Sequence, residues 1–218
     1  FVVDERGEPV SPSAVTALVA TREVARAVAA GARAEEVAVV YNVISSATVQ
    51  EVLDEIGARG VRTRVGHSFI KAVMAQESAV FGGEHSAHYY FRDFWFADTG
   101  MLAAMHVLAA LGGQDAPLSA LVSTYDRYVS SGEINSTVAD PSAALAAVRS
   151  WSEAQGLTLD ELDGITATHA AASGPYWWLN VRSSNTEPLV RLNVEADDRA
   201  TMEQVRDRAL AVIRGEHP

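Results

Sequence analysis

Behind the turn at Gly7, Ser11-Pro12 offers an N-cap followed by a first-turn proline, and Val15, Leu18, Val19 and a run of alanines continue at helical spacing to Gly31. Ahead of that turn FVVD (1–4) reads as a strand already in progress. VAVVYNV (37–43) is an unbroken apolar run of strand length. Ser46 then caps a helix whose Val49, Val52, Leu53 and Ile56 lie on one face before Gly57. VRTRV (61–65) alternates as a strand and feeds a short helix from Ser68, where Ser68 itself can serve as N-cap. AVFGGE opens a second extended stretch, and Asp98-Thr99 caps MLAAMHVLAAL, which Gly112-Gly113 stops.

Strand, helix, strand, helix, strand, strand, helix is the order of an α/β layer with a partly parallel sheet, spanning residues 31–115. Two helical patterns follow, LSALVSTYDRYVS and PSAALAAVRSWSEAQ, separated by SGEINSTVADP, whose Gly, Asn, Ser and Pro content predicts an irregular connection. From Gly164 the texture changes to three strands, GITATHA, YWWLNVR and LVRLNVEA, joined by ASGP and SSNTEP turns and closed by the amphipathic DDRATMEQVRDRALAVIR. The expected fold class is therefore α/β: a mixed α/β sheet domain followed by a small α+β domain within 116–218.

Composition narrows the setting. With 48% hydrophobic residues in 218, the chain can bury a core as one large or two small domains. It has no cysteine, which removes disulfides and thiolate metal sites and fits a reducing interior, so the cytoplasm is the expected location. No apolar run approaches the ~18 to 20 residues of a membrane span, and the start lacks the basic-then-apolar order of a signal peptide. Because the chain opens on Phe1 inside an apparent strand, its beginning is expected to be missing. A net charge of −11, with Lys71 the single lysine, argues against nucleic acid as a partner. A small anion can still bind where arginines and backbone N–H groups converge.

Three loops carry clustered polar groups. In VGHSFIK, His67 sits between a strand end and a helix start, where free N–H groups favour an anion; judged alone, it reads first as an ordinary surface histidine with Ser68 merely an N-cap. In residues 82–96, GGEHSAHYYFRDFWF, an extended backbone puts Glu84, Ser86 and His88 on one face, a row suited to sugar hydroxyls and proton transfer, or else the outward face of an edge strand. In VRSSNTEP (181–188), Arg182 brings a guanidinium fork while Ser184, Asn185 and Thr186 add donors suited to a phosphate; the alternative is a hairpin turn satisfying its own backbone.

Taken in this order, GHSFIK, GGEHSAHYYFRD and RSSNTEP resemble the α-D-phosphohexomutase superfamily, specifically its bacterial phosphomannomutase/phosphoglucomutase branch. FRDFWFADTGM continues the signature beyond its Gly-Glu-x-Ser core, and the likeness extends over essentially the whole chain.

The resemblance implies the C-terminal half of a four-domain enzyme. Residues 1–30 would end domain 2, residues 31–115 would be domain 3, and residues 116–218 would hold connecting helices and the TBP-like domain 4. Glu84 and Ser86 match the loop that holds the sugar 3- and 4-hydroxyls. His67 and His88 match histidines acting as acid or base near the transferred phosphoryl group, and Arg182, Ser184, Asn185 and Thr186 match the loop that grips the non-reacting phosphate. Lys71 belongs to the motif without an assigned role. The donor phosphoserine and the Asp-x-Asp-x-Asp-Arg loop that binds Mg²⁺ are expected upstream of Phe1, so no metal ligand is implied in this chain, and a hexose 1,6-bisphosphate is the implied intermediate or activator. The implied partners are a phosphosugar and the missing N-terminal half, and the chain is expected to be inactive alone. Ile44 departs from the pattern, standing where some relatives carry an active-site lysine. A non-catalytic phosphosugar-binding module and a phosphoglucosamine mutase stay open as alternatives, and the choice between mannose and glucose phosphates is not fixed by these motifs.

Overall fold

In the computed structural model, which describes residues 1–170, 172, 174–184 and 187–216, the apolar run after residue 37 becomes strand β1 (Ala38–Asn42), buried along its whole length. Such a strand needs cover on both faces, and successive side chains supply it in alternation. Ala38 and Val40 pack with Ile70 and Met74 of helix α3 (His67–Glu77). Val39 and Tyr41 pack on the other side with helices α1 (Pro12–Ala29) and α2 (Ala47–Glu55). Ser46 caps α2 as expected, its side chain accepting from the Thr48 N–H.

The sheet runs in the order β2 (Arg59–Thr63), β1, β3 (Phe81–Gly83), β4 (Tyr89–Phe91), β5 (Ala97–Asp98), the first three parallel and the last two antiparallel. Helices α4 (Gly100–Leu111) and α5 (Leu118–Ser123) join the α1 layer. Two glycines make β3 fit between its layers. A Cβ on Gly82 would come 2.5 Å from the Met74 sulfur, and one on Gly83 would collide with the Thr16 side chain of α1. The α/β layer with a partly parallel sheet is thus present.

Several local expectations change. FVVD makes only an isolated bridge, Val3 to Pro9, across the Gly7 turn. Helix α3 starts at His67 with Gly66 at the N-cap position, φ 133°, so Ser68 is not the cap. Helix α5 stops at Ser123, and beyond it Arg127 pairs with Glu51 and Glu55 of α2, at 3.1 and 2.7 Å.

Compactness divides the chain after Arg127. The reason is burial: Val15, Leu18 and Val19 of α1 and Leu118 and Val122 of α5 belong to the same core as β1.

The second unit is an antiparallel sheet in the order β6 (Val129–Ser130), β11 (Leu189–Ala196), β10 (Trp177–Ser183), β9 (Ile165–His169), β8 (Thr158–Asp160). Strand β7 (Ile134–Thr137) also pairs with β11, so SGEINSTVADP is not irregular throughout. Its apolar content is too low to show a strand by pattern; pairing to β11 makes it one. Leu179 and Val181 of β10 and Val190, Leu192 and Val194 of β11 pack with helices α6 (Pro141–Ala154) and α7 (Arg199–Arg214). The intervening residues face away from the helices and pair across the strands as Trp178 with Glu195, Asn180 with Asn193, and Arg182 with Arg191. No described helix is long and apolar enough to cross a membrane.

Candidate functional site

Strand β3 ends at Gly83, and the chain reverses at once. The Ala87 N–H donates to the Glu84 carbonyl at 3.0 Å, the Glu84 N–H donates to the His88 carbonyl at 2.9 Å, and Ala87 takes φ 65°. Residues 84–88 are therefore a hairpin turn, and the extended row of Glu84, Ser86 and His88 does not form. The turn brings them together by another route: all three line one open cavity of about 480 Å³, with His67 and Lys71 from the first turns of α3.

Within this cavity Glu84 is the buried member, 3% exposed, while Ser86 and His88 are exposed. The Glu84 carboxylate accepts from the Tyr90 hydroxyl at 2.5 Å. Burial first, and then the adjacent carboxylate, raise the Tyr90 pKa, so this hydroxyl stays a donor. Tyr90 fixes one carboxylate oxygen, leaving acceptor capacity for ligand hydroxyls.

His88 has a partner that pattern reading missed. Its Nδ1 lies 2.8 Å from Oδ2 of Asp98, and the other oxygen of Asp98 accepts the Tyr89 N–H at 3.0 Å. A carboxylate only accepts, so Nδ1 carries the proton and Nε2 is left to take or give one. The sequence offers Asp98 only as part of a helix start, and Thr99 is the cap there, its side chain accepting from the Leu102 N–H at 3.4 Å. An acidic residue just ahead of an N-cap has an ordinary explanation, which hid this one.

His67, at the first position of α3, stands where helix N–H groups leave positive potential, and Lys71 adds a full charge one turn on. Ile44 is buried, consistent with an apolar side chain.

In the second unit, Arg182 ends β10 and Arg191 lies directly across from it on β11. Glu133, just ahead of β7, takes Arg182 Nη2 at 2.7 Å on one oxygen and Arg191 Nη1 at 2.9 Å on the other. Neither Glu133 nor the role of Arg191 was legible as part of the loop. The Ser184 N–H donates to the Leu189 carbonyl at 2.8 Å. Asn185 and Thr186 lie outside the described residues.

Among the described residues, no group of three or more His, Asp or Glu side chains could hold a metal ion. The cavity's two carboxylates are already engaged, Glu84 by Tyr90 and Asp98 by His88 and the Tyr89 N–H. These residues do not fit a Mg²⁺ site.

Comparison with known proteins accords with both units. Residues 12–128 match the family model for phosphoglucomutase/phosphomannomutase, alpha/beta/alpha domain III, and residues 133–212 match that for the phosphoglucomutase/phosphomannomutase C-terminal domain. A phosphomannomutase of Methanocaldococcus jannaschii is 34% identical over 203 residues, 93% of this chain and 42% of that protein. A phosphomannomutase of Escherichia coli is 40% identical over 169 residues, 76% of this chain and 36% of that protein. The crystal structure of a phosphoglucomutase/phosphomannomutase family protein from Burkholderia thailandensis superposes with a TM-score of 0.78 at 25% identity, covering 97% of this chain and 43% of that one. The chain spans less than half the length of these relatives.

Proposed function

The chain belongs to the phosphoglucomutase/phosphomannomutase family, and from that premise we propose that it is the substrate-recognition part of an enzyme interconverting hexose 1-phosphate and hexose 6-phosphate. The observation that carries this reading is the convergence of Glu84, Ser86, His67 and His88 on one cavity of the first unit.

In this reading Glu84 accepts from two neighbouring sugar hydroxyls while Ser86 adds a third contact. His88, held by Asp98, and His67 exchange the proton of the hydroxyl that gives or receives the phosphoryl group. Arg182 and Ser184, with Asn185 and Thr186, take the phosphate that is not reacting. Phosphoryl transfer depends mainly on positioning and on neutralising charge, so groups that orient the sugar and hold its idle phosphate raise the rate without covalent chemistry of their own.

The donor phosphoserine and the Mg²⁺ loop are assigned to the part of the longer relatives that this chain does not span. The 218 residues contain no Asp-x-Asp-x-Asp-Arg run. Bound Mg²⁺ would neutralise charge on the transferring phosphoryl group.

The test uses the purified chain with mannose 1-phosphate, Mg²⁺ and mannose 1,6-bisphosphate, followed by phosphorus NMR. Binding of the phosphosugar without formation of the 6-phosphate is expected. Sustained turnover refutes the division of labour, and absence of any phosphosugar binding refutes the recognition role.

A further inference from the structure

Arg182 and Arg191 occupy directly opposed positions on β10 and β11, on the sheet face away from α6 and α7. Two like charges placed across a strand pair repel each other, so a conformation with both side chains extended in parallel needs something to hold it. Glu133 does so, one carboxylate oxygen to each guanidinium, at 2.7 and 2.9 Å. Neither arginine is loose on the surface: the side chain of Arg182 is 13% exposed and that of Arg191 29%.

The backbone under Glu133 is held as well. β6 and β7 both pair with β11, the first at Glu195 and Ala196, the second at residues 189–192. Between them the Ser131 N–H donates to the Val194 carbonyl at 2.9 Å, the Ser131 hydroxyl accepts the Val194 N–H at 3.0 Å, and Gly132 turns the chain at φ 66°. Glu133 therefore projects from a segment tied to the strand that carries Arg191.

We propose that Glu133 is a positioning residue for phosphate capture: it holds Arg182 and Arg191 side by side, so that Arg182 meets a phosphate with its guanidinium already oriented. This rests on the phosphosugar reading above. A guanidinium has five N–H donors in a rigid plane, and one Nη of Arg182 on Glu133 leaves the rest of the fork for an anion. The sign of the effect is what separates positioning from simple charge. A carboxylate close to an anion site repels the anion, so a passive neighbour would weaken binding and its removal would strengthen it. A positioning residue does the reverse, because removing it frees the side chains whose ordering it had supplied.

The experiment measures dissociation constants of mannose 6-phosphate and of inorganic phosphate for the wild-type chain, Glu133→Gln and Glu133→Asp. The arginine side-chain N–H resonances are followed in parallel by nitrogen-15 NMR. The expected result is weakening of about tenfold or more in Glu133→Gln. Partial recovery in Glu133→Asp and faster rotation of the Arg182 guanidinium in the Gln variant are expected alongside it. Amide spectra that superpose outside residues 130–136, 182–184 and 189–192 exclude misfolding as the cause. A wild-type chain that binds while Glu133→Gln binds equally well or more tightly overturns this proposal alone, as do unchanged arginine resonances. A wild-type chain that binds neither ligand overturns the phosphosugar reading and this proposal with it.

Discussion

Tyr90 donates its hydroxyl to Oε1 of Glu84 across 2.5 Å, with both residues buried. Tyr90→Phe leaves a buried carboxylate without this donor, and urea denaturation is expected to show a loss of about 1 to 3 kcal/mol. Affinity for hexose phosphates should fall in step, because the carboxylate loses its fixed orientation. The pH dependence has a definite sign. Burial, followed by the Glu84 carboxylate, raises the Tyr90 pKa above the ordinary 10.0, so the stability it contributes is full below pH 10 and lost as pH rises further. Alkaline denaturation should be shallower in Tyr90→Phe than in the wild type; equal slopes would count against this pairing.

Glu23 gives the acid side. It is buried on α1, 3.2 Å from His106 Nε2 and 2.8 Å from Arg26 Nη2. Burial alone would raise its pKa, but hydrogen bonds from His106 and Arg26 overcome that and hold it down to about 2 against an ordinary 4.5. A lowered folded-state pKa means stability present above pH 4.5 and lost as pH falls from there toward 2, amounting to about 3 kcal/mol. Glu23→Gln should therefore be the less stable chain at pH 7 and should lose less than the wild type between pH 4.5 and 2. Parallel acid titrations of the two would refute the assignment.

Gly83 and Gly164 are positions where an added methyl meets backbone or a stiff side chain. A Cβ on Gly83 collides with Thr16, whose branched side chain cannot swing aside, whereas Gly82 faces the flexible end of Met74. Gly83→Ala is expected to cost about 1 to 3 kcal/mol and Gly82→Ala less, as read by thermal denaturation. Gly164 combines φ 71° with a Cβ position in collision with the Val181 carbonyl and 2.8 Å from Arg182 Cα. Gly164→Ala should therefore lower phosphate affinity as well as stability, while Gly83→Ala leaves Arg182 undisturbed.

Asp98→Asn separates catalysis from stability. Both His88 and Asp98 are half exposed, so their hydrogen bond adds little to folding, and the melting temperature should barely move. In an intact enzyme carrying this chain, kcat should drop by a substantial part of the ~10²- to 10⁴-fold that a positioned acid or base supplies, with KM nearly constant. A fall in KM-dependent affinity with unchanged kcat would assign the pair to binding instead.

Much of this was legible because it depends on local rules. The unbroken run of β1, the i, i+3, i+4 spacing of α2 and the alternation in β10 and β11 each report which faces are buried, and burial decided the elements. Glu84, Ser86, His67 and His88 stand out in the sequence as polar motif residues, but alternation would gather Glu84, Ser86 and His88 on one extended face. Alternation assumes extended backbone, and Ala87 at positive φ replaces extension with a turn. Asp98 and Glu133 were not found because their significance lies in what faces them. In sequence one belongs to a helix start and the other to a loop, and only pairing of β5 with β4, and of β7 with β11, brings them to His88 and to the arginines.

The cavity in the first unit is lined by chain leaving the carboxyl ends of β2 and β3 and by Tyr90, Ala97 and Asp98 of β4 and β5, and Tyr90 belongs to the apolar core as well. Under the phosphosugar proposal, exchange of the hairpin residues between Glu84 and His88 is therefore an engineering route to altered ligand preference, provided Glu84 keeps its bond to Tyr90. Swaps that keep the residue count of the hairpin, and with it the closing contact between positions 84 and 88, are the ones expected to fold.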